Sequence, residues 1–548
     1  MTFRAFLISP IDDQERYCMS ASDSIDRRTF ITRGAGVLGA AALVRPSALL
    51  QSGRITRVID RVAPEVTSAA KKRRGGTLIV GSLGGTADTI NAQHNSTNID
   101  QQRAVQLYEG LTYISENLPF TYENALAQEI ELSSDLKTGT VRLKQGLEFH
   151  NGKTVSADDL IFTIQRELTK TGGGPGHGTA GYASINPNAM TKLDDRTVQF
   201  ALNFPDAYFP RRIGVILPIG YDPLHPVGAG PFMFQSYTAG SQSTFVRFPN
   251  YWNSPEPFLD EVQIIDFADD QSRVSAMLAG QINAIDGIDT SLLSEFSDHT
   301  KYKKLIAKAG YYQPITMRVD LPPFNDVRVR QAMRLLVNRP QMVQQAENGY
   351  AHLGNDMPDP ADPAYPHDLP QRHQDIPEAK RLLKAAGYPN LTVTMTIAPQ
   401  DGGIVKTAQV FAEQAAAAGV TVNLTNLTIA AYQAGFTNWP FTQGYWAAGL
   451  IGTGYTGRFL KGATNNDSHW NDPQTDAWYQ QQLGTANAAR RNAINRKIFE
   501  TFYNDGPDII HTFKDNVDVY SSKFTGFVPN LTGGLSLSQY RYRLVSLG

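Results

Sequence analysis

Residues 391–424 read LTVTMTIAPQDGGIVKTAQVFAEQAAAAGVTVNL. Leu391, Val393, Met395 and Ile397 alternate with polar neighbours, the period-2 pattern of a strand with one buried face. Ile404, Ala408, Phe411, Ala412 and Ala415 then recur at helical spacing, and Gly419 stops that helix. Val420, Val422 and Leu424 return to period 2. Strand, helix of about 15 residues, strand is a βαβ unit, with a right-handed crossover onto a parallel pair. The chain is therefore α/β at least here.

The same grammar extends on both sides. Asp375 and Pro377 open a helix with Ala379, Leu382, Leu383 and Ala386 facing inward and Gly387 at its end. Val327–Asn338 places Val329, Ala332, Met333 and Leu336 on one face and turns Arg328, Arg330 and Arg334 outward. Nearer the start, Thr77–Gly81 is a short apolar run expected as a buried strand, and Thr140–Leu143 and Val198–Leu202 alternate as half-exposed strands. Ser156, with Asp158 and Asp159 behind it, opens a helix whose apolar face is Leu160, Ile161, Ile164 and Leu168. Residues 171–181 (TGGGPGHGTAG) are too glycine-rich to pack and are expected as a loop. The Pro-rich run 356–370 is expected as a connector. No repeat of fixed period occurs.

Composition narrows the function classes. The 548 residues are 41% hydrophobic and 19% charged, which is globular. Fifty Lys+Arg against 52 Asp+Glu give a net charge of −2, without the basic surplus of a nucleic-acid binder. One cysteine, Cys18, excludes an internal disulfide framework and a cysteine-built metal site.

Residues 24–44 (SIDRRTFITRGAGVLGAAALV) set Arg27 and Arg28 ahead of an apolar stretch from Gly34 to Val44. That stretch is too short to cross ~30 Å of hydrocarbon. A charged region followed by a short Gly/Ala-rich one reads as an export signal, and the paired arginines resemble the twin-arginine pattern. Ser47-Ala48 and Ser68-Ala69 are both possible cleavage sites, and Met19 is a possible true start. No lipid-acceptor cysteine follows, so the product is expected to be soluble and periplasmic, after a leader covering residues 1–70.

Chemical motifs are sparse. HExxH, GxSxG and GxxxxGK[ST] are absent, and the ten histidines are scattered. Gly452–Gly457 (GTGYTG) fits GxGxxG, but a dinucleotide site needs a helix to open there, and the Gly/Asn/Pro-rich sequence that follows argues against one. Asp158/Asp159 and Asp269/Asp270 read as helix openers rather than an acid–base pair. No nucleophile, base and orienter are assembled, and neither cofactor nor metal is expected. Phe436, Trp439, Phe441, Tyr445, Trp446 and Tyr455 fall within twenty residues among Gly, Thr, Asn and Gln, with neither period. Such faces suit a concave pocket for a polar organic molecule, although some of them belong to packing.

Six segments in order carry a family resemblance: TINAQ…QLYEGLT (89–112), VRLKQGLEFHNGKTVSADDLIFTIQ (141–165), VGAGPFMF (227–234), FPNYWNSPEPFLDEVQI (248–264), PPFNDVRVRQAM (322–333) and EAKRLLKAAGYP (378–389). Together they resemble the extracellular solute-binding proteins of family 5, the peptide, opine and nickel type that serve ABC importers. The resemblance implies a two-lobe hinged periplasmic-binding-protein fold (type II, cluster C-like) with a subdomain inserted in the first lobe. The first lobe maps to 76–117, 227–310 and 515–548, the insertion to 118–226 and the second lobe to 311–514. It implies a monomeric, non-enzymatic periplasmic binding component that hands a small-molecule ligand to an inner-membrane ABC permease.

Peptide-binding members carry an Asp about three residues after a Trp in the matching region. Here the run is Trp446-Ala-Ala-Gly449, with no acid between Phe436 and Leu460. A ligand ammonium buried without a counter-charge costs several kcal/mol, so ordinary peptides are expected to bind poorly unless another carboxylate substitutes. Arg318, where the family more often has Asn, could fork onto a ligand carboxylate or pair with Asp320. These features favour an acidic ligand such as an opine or a sugar–amino-acid conjugate. The expected ligand-binding residues are Tyr445, Trp446 and Tyr455 as stacking walls, Arg318 as anion clamp, and His94, Asn95 and Asn98 from the opposite lobe. A twin-arginine-exported enzyme and a periplasmic chaperone or adhesin are the competing readings.

Overall fold

A computed structural model describes residues 72–94, 97–115, 121–168, 182–399, 403–530 and 537–548. The export signal, Asn95 and the glycine-rich loop 171–181 lie outside the described residues.

Three sheets organise the molecule. The largest has eight strands: Tyr302–Tyr311, Thr512–Ser521, Ala284–Ile285, Thr77–Leu83, Glu261–Phe267, Gln242–Arg247 and Phe232–Thr238 in order, with Ala351–Leu353 added to Thr512–Ser521. Thr77–Leu83 is the buried strand expected, parallel to Glu261–Phe267 and to Ala284–Ile285. Its Leu78 and Val80 share a core with Leu537, Tyr540, Tyr542 and Val545 from the chain's end.

The second sheet has five strands, ordered Thr421–Asn426, Thr392–Ile397, Phe441–Gln443, Ile315–Met317 and Asp508–Ile509. The βαβ unit stands as expected: Thr392–Ile397 pairs in parallel with Thr421–Asn426, and the helix Ile404–Ala416 connects them. Val393, Met395, Ile397, Ile404, Ala408 and Phe411 join one core with Val329, Ala332, Met333, Ala379 and Leu383. The third sheet is antiparallel, ordered Ala127–Leu132, Thr138–Leu143, Thr197–Leu202 and Ile185–Asp194. It packs on the helix Ala157–Leu168 through Leu160 and Ile164.

Two features of the helices depart from expectation. Arg330 and Arg334 are buried, not outward. Their guanidinium groups cap the end of the helix Ala488–Asp505: Arg330 donates to the Asp505 carbonyl, and Arg334 to the Asp508 and Gly506 carbonyls. A cation at a helix C-terminus meets the unpaired carbonyls and the negative end of the dipole. Helical periodicity sees only the helix's own face and misses a second helix approaching from the polar side.

The second departure is Ile451–Arg458, which is helical through Gly452, Gly454 and Gly457. Three glycines should disfavour a helix by nearly 1 kcal/mol each, but tertiary contacts hold this one. The Asp362 carboxylate accepts from the Ile451 amide at 2.9 Å. A Cβ on Gly452 would lie 2.1 Å from the Tyr208 hydroxyl, so glycine is what lets the helix approach. The first amide of the helix is already taken by a protein carboxylate, where a phosphate site would need it free.

Candidate functional site

The chain passes between the two larger sheets four times, and two of these passages are short, direct connections. Tyr302–Tyr311 ends in the first sheet and Ile315–Met317 begins in the second, while Asp508–Ile509 in the second is followed by Thr512–Ser521 in the first. A third segment joins them there. After Phe441–Gln443 the backbone turns, and Trp446 pairs with Tyr312 through hydrogen bonds of 2.9 and 3.0 Å. Tyr312, Ile510, Phe513 and Trp446 thus form a small apolar cluster at the junction.

Of the predicted aromatics, two belong to this junction. Tyr445 stacks on Tyr311 with centroids 6.0 Å apart. Trp446 is half-buried, lies 6.3 Å from the Phe436 ring, and its buried indole Nε1–H has no hydrogen-bond partner among the described residues. Arg458 stacks over the indole, its guanidinium carbon 4.8 Å from the ring centroid. That guanidinium is itself buried and clamped by Asp467 at 3.1 Å and Asp508 at 2.7 Å. Burial opposes its charge, but the two carboxylates outweigh this and hold its pKa above the ordinary arginine value.

Tyr455 does not line a pocket. It is fully buried, stacked on Tyr479 at 5.1 Å and on Phe502 at 6.3 Å, with its hydroxyl donating to Asp476 and 2.7 Å from the Thr475 hydroxyl. Helix formation over 451–458 turned this ring into a separate core with Phe459, Trp470, Tyr479 and Phe502, which is the physical reason the sequence reading misplaced it. Phe441 is likewise core.

Arg318 is engaged within the protein. Its Nε and Nη2 donate to the two Asp320 carboxylate oxygens at 3.0 and 2.7 Å, and Nη1 donates to the Asn438 carbonyl. Hydrogen bonding from Arg318 holds the Asp320 carboxyl below its ordinary pKa. Of the two readings open in the sequence, the Asp320 pairing is the one this structure contains. Next to it, Val319, Asp320, Thr437, Lys461, Asn466, His469 and Trp470 line a depression of about 550 Å³.

His94 and Asn98 lie on the other sheet. Gly81 pairs with Ile285 and Ile285 with Val519, in parallel and antiparallel registers respectively. The carboxyl end of Thr77–Leu83 therefore points the same way as the amino end of Thr512–Ser521, toward the junction. The loop after that strand carries half-buried His94, and exposed Asn98 begins the helix Asn98–Leu107, capped by Thr97.

A residue that sequence reasoning passed over sits at the centre. Asp359, within the presumed connector 356–370, accepts from the Gly449 amide at 2.5 Å through Oδ1. It is only 6% exposed. Burial pushes its carboxyl up to about 7, the Gly449 amide opposes this, and nearby Asp362 adds to it. The close fit around it is visible at Gly310, where a Cβ would stand 2.4 Å from Ala448 Cβ and 2.9 Å from Pro360 Cδ. The signal available in the sequence was the acid-bearing run MPDPADP (357–363), set against a distant aromatic segment (436–455) without acids.

Among the described residues, no group of three or more His, Cys, Asp or Glu side chains could hold a metal ion, and no helix is long and apolar enough to cross a membrane.

Comparison with known proteins bears directly on this architecture. The family model described as bacterial extracellular solute-binding proteins, family 5 middle, matches residues 121–467. A glutathione-binding protein GsiB of Pectobacterium atrosepticum is 24% identical over 484 residues, spanning 81% of this chain and 90% of its own. Solved structures share the fold. DppA of Helicobacter pylori, in complex with the peptide STSA, has a TM-score of 0.74 at 22% identity, covering 87% of this chain and 98% of its own. The binding protein AgaA from A. tumefaciens R10, in complex with agropinic acid, has a TM-score of 0.72 at 24% identity, covering 86% and 99%.

Proposed function

Since the chain belongs to the family 5 bacterial extracellular solute-binding proteins, which are transport proteins and not enzymes, we propose that it captures a small polar organic solute for an ABC importer. The solute is an opine, a sugar–amino-acid conjugate or a peptide-like molecule, held where the two larger sheets meet. We read residues 76–117, 227–310 and 515–548 as the first lobe, 118–226 as its inserted subdomain and 311–514 as the second lobe. The leader exports the chain to the periplasm through the twin-arginine route, where it works as a monomer with an inner-membrane permease. Relatives named for glutathione, a peptide and agropinic acid support this range of ligands.

The observation that carries the reading is Trp446. It lies beside both short inter-sheet connections, is half-buried, and holds an indole N–H that meets no acceptor among the described residues. An amphipathic ring of this kind offers a stacking wall and one directional hydrogen bond. Tyr445 extends the wall, and His94, Asn95 and Asn98 reach the solute from the first lobe. Capture needs no bond to be made or broken. Open and closed forms of such a protein differ by a few kcal/mol, and a micromolar ligand supplies about 8 kcal/mol, enough to shift the equilibrium.

Native mass spectrometry of freshly purified protein, followed by thermal-shift screening of peptides, glutathione and opines, tests the reading. A non-covalent small molecule and a melting shift are expected. No retained molecule and no shift with any class would refute it. Trp446→Ala is expected to weaken binding by ~1–3 kcal/mol while leaving the melting temperature nearly unchanged. A large loss of stability would assign the ring to packing instead.

A further inference from the structure

The buried aspartates of this chain follow a pattern. Asp356 meets Arg339 and Arg372, each at 2.7 Å. Asp206 meets Arg212 at 2.8 Å, Asp286 meets Arg273 at 3.0 Å, and Asp467 and Asp508 share Arg458. Each of these five has a cation, which offsets the cost of desolvating its charge. Asp359 breaks the pattern. It is as buried as these, yet its one hydrogen bond is to the Gly449 amide, and no Lys, Arg or His reaches it within ion-pairing distance among the described residues. Arg458, whose charge acts on Asp359 from beyond ion-pairing distance, is already held by two other carboxylates.

Its place in the fold is where three segments converge: the connector bearing Asp359 and Pro360, the end of the strand Tyr302–Tyr311 at Gly310, and the segment Trp446–Gly449. The unpartnered indole N–H of Trp446 lies three residues from the Gly449 amide that Asp359 accepts. Among the described residues, this junction thus holds a carboxylate oxygen without a cation and a donor without an acceptor.

We propose that Asp359 is the specificity-determining residue of the solute site, where its free carboxylate oxygen receives the protonated amine of the ligand and selects solutes carrying an ammonium over those without one. This rests on the capture reading and deepens it. An ammonium beside a carboxylate, with an acceptor group for the Trp446 N–H, describes an α-amino acid derivative: a peptide or an amine-retaining opine. The acidic-ligand preference expected from the sequence gives way, because Arg318 is spent on Asp320.

The test uses the full chain and matched probes in titration calorimetry at pH 8: Met-Leu, Ser-Thr-Ser-Ala and glutathione, each beside its N-acetyl form, with amine-free sugar acids as a further set. The free-amine member of a pair is expected to bind about tenfold or more tighter. Asp359→Asn should reduce that preference to within about threefold, and Asp359→Glu should restore part of it. Equal binding of free and acetylated forms to the wild type overturns the proposal whether or not the variants fold. So does a preference that survives in Asp359→Asn. Binding of the sugar acids alone overturns the Asp359 assignment and leaves the capture reading standing. No binding by any probe, with nothing retained in native mass spectrometry, overturns both.

Discussion

Replacing Arg458 by methionine is expected to destabilise the protein by about 3–5 kcal/mol, the cost of removing one partner from a buried ion group. The side chain is 2% exposed, and its guanidinium satisfies Asp467, Asp508 and the Thr316 hydroxyl at once. Methionine fills similar volume, so the loss reports charge rather than a cavity. Two carboxylates would remain in a site where burial already raises the Asp508 pKa against the pull of Arg458. Without the guanidinium Asp508 loses the charge that opposes its burial, and it must take up a proton for the fold to persist. The deficit should therefore be largest at pH 8 and shrink toward pH 5, where protonation is cheap. Urea unfolding at both pH values measures it. A variant as stable as the wild type at pH 8 would show that this group can be exchanged for apolar packing. Because the same guanidinium stacks on Trp446, solute binding should weaken as well, even at pH 5 where the fold recovers.

The parts legible in the sequence were those whose physics is local. Residues 391–424 announced a strand, a helix and a strand through periodicity alone, and the parallel pairing of Thr392–Ile397 with Thr421–Asn426 follows that pattern. Asp269, read as a helix opener, does cap the helix Asp270–Leu278 through the Ser272 amide. What escaped was set by distant partners. Arg330 and Arg334 looked solvated because the helix end that needs them lies some 170 residues later. The glycines of 451–458 argued against a helix that Asp362 and Tyr208 make possible from outside, and Tyr455 followed the helix into the core. Asp359 was invisible for the same reason: its significance is the absence of a cation, and only tertiary structure shows who stands beside a side chain. Proline punctuation marked the segment as a connector and said nothing of the charge it delivers to the junction.

Asp359→Asn should make the unliganded protein more stable at pH 8, even as it removes the proposed preference for amines. The Asp359 carboxyl titrates at about 7 in the fold, raised by burial from an ordinary 3.8. A group whose pKa is raised on folding contributes its stability below the unfolded value and loses it as pH climbs through the folded one. For Asp359 that window runs from about pH 4 to about pH 7, and above it the ionised side chain opposes folding by ~4 kcal/mol at most. Asn keeps an oxygen to accept from the Gly449 amide and has no charge to bury. Urea midpoints should accordingly favour Asp359→Asn at pH 8 and converge with the wild type near pH 4.5. The groups facing Asp359 sharpen the expectation, since Asp362 raises its pKa and Arg458, saturated by its own partners, only partly offsets this. A purely structural aspartate gives the opposite result, a variant weaker than the wild type at pH 8 because a charged acceptor was lost from a buried amide. If a ligand ammonium is the missing cation, its arrival must also ionise the carboxyl. Calorimetric titrations at pH 7 in buffers of different ionisation enthalpy should then show a fraction of a proton released per amine bound by the wild type, and none by Asp359→Asn. Proton release that is equal in the two proteins would place the titrating group elsewhere.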